Sequence, residues 1–103
     1  MKNSNPVTCT LTAEGRQRMG DGWKATLQRG NARVRALENG VEVDLKGDDA
    51  LLHELRRLVA IEADCCRWMN IALREHRGDA VLTVTADSDE GVAAIAAMPA
   101  FRL

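Results

Sequence analysis

The sequence predicts an α+β fold: a two-layer sandwich in which two hairpins form a mostly antiparallel four-stranded sheet, helices cover one of its faces, and a further helix precedes the strands. Three observations predict it. Alternating apolar runs flank Asn39-Gly40, the strongest two-residue hairpin signal, and a second alternating pair flanks Arg77-Gly78. Between the hairpins Leu51, Leu52, Leu55, Leu58 and Val59 recur at helical spacing. The chain of 103 residues is long enough for one buried core and too short for two, so residues 1–103 read as a single domain.

Residues 1 to 6 are polar and read as a frayed terminus. Val7-Thr8-Cys9-Thr10-Leu11 alternates and is either a short strand or an extended lead-in, with Thr12 placed to cap a helix. Met19, Trp23 and Leu27 then put one narrow apolar stripe on a helix over residues 13–28. Gly15, Gly20 and Gly22 each weaken that helix by about 1 kcal/mol relative to Ala, so a bend or break is expected near Gly20-Asp21-Gly22.

In the first hairpin, taking Asn39-Gly40 as the turn sets Val34 opposite Leu45, Ala36 opposite Val43 and Glu38 opposite Val41, which gathers nearly all the aliphatics on one face. Arg35 then faces Asp44 across the other. Gly47-Asp48-Asp49 ends the strand and caps the Leu-rich helix, whose opposite side carries His53, Glu54, Arg56 and Arg57. In the second hairpin Leu73 meets Leu82 and Ile71 meets Val84 if Arg77-Gly78 is the turn. Asp87 and Glu90 read as the capping box of a last helix, with Val92 and Ile95 inward and Pro99 ending it. Residues 33–59 and 69–98 thus share one order of strand, turn, strand, acidic cap and helix, either as a degenerate ββα duplication or as an arrangement that small α+β domains reuse. The second sheet face, with Arg33, Arg35, Leu37, Asp44 and Asn70, is left to solvent or to another copy, as the surface through which a homodimer would form.

Composition narrows the partners. The net charge of −1 hides an asymmetry: residues 1–47 carry eight Lys/Arg against five Asp/Glu, net +3, and residues 48–103 carry six against ten, net −4. Neither half is basic enough for nucleic acid, and one Phe, two Trp and no Tyr leave few platforms for stacking bases. No apolar run approaches the ~20 residues of a membrane span, and no apolar signal segment follows Pro6, so the expected location is the cytoplasm. In a reducing compartment three cysteines, two of them adjacent, read as free thiols or metal ligands rather than as a disulfide framework.

The stretch with chemical potential is Ile61-Glu62-Ala63-Asp64-Cys65-Cys66-Arg67-Trp68, where the Leu-rich helix gives way to a strand near Met69. Continuing the Leu58-Val59 stripe by one turn reaches Glu62, and by another reaches Cys65 and Cys66. A carboxylate on that face costs several kcal/mol unless it is paired, protonated or near the surface. Two readings follow. In the structural one Glu62 pairs with Arg67 or an arginine of the first hairpin, or accepts backbone hydrogen bonds, and the cysteines pack as small hydrophobes. In the functional one Cys65, Cys66, Cys9 and Glu62 form a site for a soft, thiophilic metal or metalloid ion, although the usual zinc spacing between cysteines is absent. Redox catalysis fits less well, because the pair lacks the C-x-x-C arrangement and a helix C-terminus opposes a thiolate. His53 and His76 read as solvated, no serine has a nucleophile context, and no Gly-rich loop follows a strand, so no enzymatic substrate is nominated.

Cys9-Thr10-Leu11-Thr12 together with Glu62-Ala63-Asp64-Cys65-Cys66 resembles a family of small bacterial proteins of no assigned activity, with Cys-x-Leu-Thr near the N-terminus and Glu-x-x-Cys-Cys after a Leu-rich helix. Similar segments occur fused to, or encoded near, MerR-like metal-responsive regulators. The resemblance implies the same four positions, Cys9, Glu62, Cys65 and Cys66, a link to heavy-metal responses, and a metal-responsive regulator as partner. Family members continue with Pro and an aromatic after the cysteine pair, where this chain has Arg67-Trp68. The function expected is therefore binding or sensing of a soft metal ion through the vicinal thiols, and the alternative is an interaction module whose cysteines belong to the core.

Overall fold

The computed structural model describes residues 9–102, so the expected frayed terminus at residues 1 to 6 lies outside the described residues, as do Val7 and Thr8. From there the chain runs α1 (Ala13–Arg29), β1 (Arg33–Leu37), β2 (Gly40–Lys46), α2 (Asp49–Cys65), β3 (Met69–His76), β4 (Asp79–Ala86), α3 (Asp89–Ala96) and a single 3-10 turn at Pro99–Phe101. Of the Val7–Leu11 stretch the described part, Cys9 to Leu11, is not a strand and bends at Thr10 and Leu11. The strands make one antiparallel sheet in the order β1-β2-β4-β3. The hairpins therefore meet through their second strands. β2 and β3 run parallel on either side of β4, and α2 is the crossover between them. The α+β architecture with a four-stranded antiparallel sheet and a leading helix is the one the sequence predicts.

The core lies between the sheet and its helices. Leu27 of α1, Leu55 and Leu58 of α2 and Ile95 of α3 are fully buried against Val43 and Leu45 of β2 and Leu82 and Val84 of β4. The other sheet face carries exposed Arg33, Arg35, Asp44 and Asn70. Side chains alternate between these faces because the strand repeat is two residues.

The first hairpin differs from its expected register. Val34 pairs with Val43, Ala36 with Val41 and Arg35 with Glu42, so the connection is Glu38-Asn39 and Gly40 is already the first residue of β2. The reason lies in the neighbouring strand: a Cβ on Gly40 would sit 1.9 Å from the carbonyl oxygen of Val84. The glycine thus serves close approach of β2 to β4 rather than the turn. Because the pairing shifts by an even number of residues, the inward face is unchanged, and Arg35 forms its ion pair with Glu42 instead of facing Asp44. The second hairpin keeps the expected register, with Leu73 opposite Leu82 and Ile71 opposite Val84. Arg77 and Gly78 both take positive φ, 51° and 84°, as a two-residue type I′ turn requires.

α1 is one uninterrupted helix through Gly20-Asp21-Gly22, capped as expected by Thr12, whose hydroxyl accepts from Gly15 N–H at 3.0 Å. Tertiary packing overrides weak local propensity here: Trp23 and Leu27 are buried, and Gly22 lies against Leu58 of α2. At α3 the cap is Ser88, one residue later than the expected Asp87, its hydroxyl accepting from Gly91 N–H at 3.0 Å.

The glycines give a paired test. A Cβ at Gly20 would meet nothing within 4 Å, so Gly20→Ala is expected to stabilise by ~0.5–1 kcal/mol through helix propensity and a less flexible unfolded chain. Gly40→Ala should instead cost ~1–3 kcal/mol by overpacking β2 against β4. Urea midpoints at unchanged m-value measure both.

Candidate functional site: a recess lined by two thiols

The site forms at the junction between α2 and β3. Cys65 is the last residue of α2 and Cys66 caps it, with its N–H donating to the Glu62 carbonyl at 2.8 Å and its carbonyl accepting from Met69 N–H at 3.0 Å. The lead-in to α1 crosses this junction, where Thr10 N–H donates to the Cys65 carbonyl at 3.2 Å. That backbone bond sets Cys9 beside Cys66. The two thiols are close enough to interact, and the contact favours the protonated Cys66.

Both cysteines open onto a recess of about 330 Å³. α1 supplies Arg16, Met19, Gly20 and Trp23 to its wall, Trp68 joins Met69 and Ile71 from the start of β3, and α3 adds Ala94 with Met98 and the 3-10 turn beyond it. The ionisable groups in the lining are Arg16, the two thiols and Glu62. A recess of this size is at the lower end for small-molecule pockets, roughly 300–1,000 Å³, and far larger than a bare ion needs.

Glu62 has its polar neighbour on α1, the indole of Trp23. Burial raises the Glu62 pKa above the ordinary carboxylate value, and the indole opposes the rise. At Cys66 burial is again the first cause and pushes the thiol strongly upward, reinforced by the contact with Cys9 and by the negative charge of Glu62. The groups are thus coupled electrostatically. The junction holds Cys66 as a neutral thiol at neutral pH.

Of the four residues expected to form the site, Cys9, Cys66 and Glu62 line one recess and Cys65 does not. Adjacent side chains on a helix diverge by about 100°, and Cys65, at the end of α2, turns into the hydrophobic core, where it is 8 % exposed. The convergent pair is Cys9 with Cys66. Among the described residues no group of three or more His, Cys, Asp or Glu side chains is arranged to hold a metal ion. Arg67, one expected partner for Glu62, lies 3.9 Å from Asp64 instead. His53 and His76 are exposed and outside the recess.

Sequence reasoning missed Trp23 as the polar neighbour of Glu62 and missed Met19, Met98 and Phe101 as cavity walls. A signal for the first existed: a buried indole N–H needs an acceptor and a core-facing carboxylate needs a donor. Nothing in the sequence pointed to the second, because side chains that line a recess and side chains that fill a core share one apolar pattern.

The fold and site together define a small α+β domain carrying a dithiol recess. No family model matches the chain and no curated protein matches it. Among the described residues no helix is long and apolar enough to cross a membrane.

The raised Glu62 pKa has a signed consequence. An acid whose folded-state pKa exceeds its unfolded value contributes stability that is complete below the unfolded value and is lost as pH rises through the folded one. Glu62→Gln is therefore expected to raise the urea midpoint at pH 7, with a gain that shrinks toward pH 4, where the native side chain is itself protonated. A gain that is the same at both pH values would place the effect in packing rather than ionisation.

Proposed function

We propose that the protein binds or senses a soft, thiophilic metal or metalloid ion through Cys9 and Cys66, in a reducing compartment such as the cytoplasm. The observation that carries this reading is the pairing of two free thiols from the lead-in and from the α2 cap in one recess. Thiolate sulfur selects soft ions, and zinc in structural sites takes four ligands, whereas Hg(II) and Cu(I) are satisfied by two sulfurs. Glu62 belongs to the site by its charge rather than as a ligand. The vicinal Cys65 supports the helix end from the core side. A divalent ion held this way displaces one proton from each thiol, so affinity climbs with pH, the more so because burial keeps the Cys66 proton in place. The resemblance to proteins associated with MerR-like regulators gives the same direction and suggests a metal-responsive regulator as partner. Catalysis is not part of this reading.

A second reading has its own observation. Cys65 and Cys66 are 8 % and 4 % exposed, as expected of an interaction module whose thiols pack the core and whose open sheet face meets a second copy.

Native mass spectrometry of the reduced chain with stoichiometric Hg(II) separates the two. On the metal reading one ion is retained with loss of two protons, Cys9→Ser and Cys66→Ser each abolish retention, and Cys65→Ser leaves it intact. A chromogenic thiol reagent should then find two of the three thiols protected together. If no ion is retained and all thiols react only after unfolding, the metal reading falls, and a concentration-dependent dimer in sedimentation would support the interaction module.

A further inference from the structure

Resting on the reading of Cys9 and Cys66 as a thiophile site, we propose that the recess is built for an organic derivative of the element, a mono-organoarsenic(III) species whose carbon substituent fills the apolar cavity while the two sulfurs hold the arsenic. The argument is one of valence and volume. Trivalent arsenic makes three bonds. The recess offers two sulfurs, and among the described residues no third ligand joins them in a metal-holding group. Inorganic arsenite held by the two sulfurs would keep a hydroxyl as its third substituent, a small polar group facing largely apolar walls. An organoarsenic species turns a carbon group to them instead.

The space beside the sulfurs suits that carbon group. The recess measures about 330 Å³, with Met19, Trp23, Trp68, Met98 and Phe101 among its walls, whereas one water in the liquid occupies ~30 Å³. Polarisable thioethers and aromatic rings make favourable contacts with an aryl group. A bare ion would leave nearly all of this apolar surface unused.

The reaction closes without a further reagent. An organoarsonous acid, R–As(OH)2, meets two neutral thiols; two As–O bonds break, two As–S bonds form, and each thiol proton leaves on a departing oxygen as water. Arsenic stays trivalent throughout and no net proton is released. This contrasts with capture of a metal cation, which must expel two protons into solution.

The test is competition on the intact reduced chain, read by native mass spectrometry, with phenylarsine oxide, arsenite and Hg(II) as probes. Phenylarsine oxide should give a single phenylarsenic adduct that a small dithiol reverses, retained at least about tenfold more tightly than arsenite. Cys9→Ser and Cys66→Ser should lose it, and Cys65→Ser should keep it. Gly20 lines the recess and a Cβ there would meet nothing within 4 Å, so Gly20→Leu adds bulk at the cavity wall and should weaken phenylarsine oxide while Hg(II) is retained as before. Equal retention of phenylarsine oxide and arsenite, or an adduct that survives Cys9→Ser or Cys66→Ser, overturns the proposal. Hg(II) retained through Cys9 and Cys66 without a phenylarsenic adduct would sink this inference alone; loss of both would sink the metal reading with it.

Discussion

The burial of the Glu62 carboxylate on the core-facing stripe of α2, eased by the neighbouring Trp23 indole, is the constraint around which the site is arranged. Without a donor, a carboxylate on the core-facing stripe of α2 would have to be neutralised or expelled to solvent. Trp23 comes from α1, a helix that three glycines leave with little intrinsic preference to form. The indole eases the burial of the acid, and packing on α2 beside Leu58 and on the C-terminal 3-10 turn holds the helix in place. With α1 held in place, the lead-in ahead of Thr12 crosses the end of α2, and the Thr10 to Cys65 backbone bond brings Cys9 to Cys66.

Most of the fold was legible because strand period, turn residues and helical stripes agree with one another. Arg77-Gly78 takes the two positive φ angles that its turn needs, and the alternation from Met69 to Leu73 and from Leu82 to Ala86 fixed that register. Asn39-Gly40 shows where local signals stop. The glycine there answers to the oxygen of Val84 in β4, a contact that exists only once the sheet is assembled. The same holds for α1, whose glycines argued for a break and whose Trp23 and Leu27 packing keeps it whole.

The site was legible in part. The helical stripe led to Glu62 and the thiols, and the end of α2 does fall there. What the pattern could not give was the direction of each thiol, because that is set by a cap of φ −120° and ψ 73° at Cys66 and by a backbone bond to Thr10. Proximity in sequence favoured Cys65 with Cys66. Proximity in space favours Cys9, because neighbouring residues at a helix end point apart whereas a crossing segment can point in.

Retention of an acid at this place is best understood together with the neutral thiol. A charged Glu62 raises the cost of ionising Cys66 and so protects the pair from the adventitious reactions of a thiolate. The same charge favours an incoming cation, and the two effects balance differently according to what arrives. A polar thiol reagent needs the thiolate and is discouraged. A thiophilic cation gains from the carboxylate as it displaces the protons, and a neutral arsonous acid needs neither the charge nor the thiolate, because its own oxygens carry the protons away. On the proposed metal reading, a largely apolar recess with a neutral Cys66 and a flanking carboxylate would select by the strength of the bond to sulfur rather than by nucleophilic reactivity, the selection that a binding site requires and a catalytic cysteine does not.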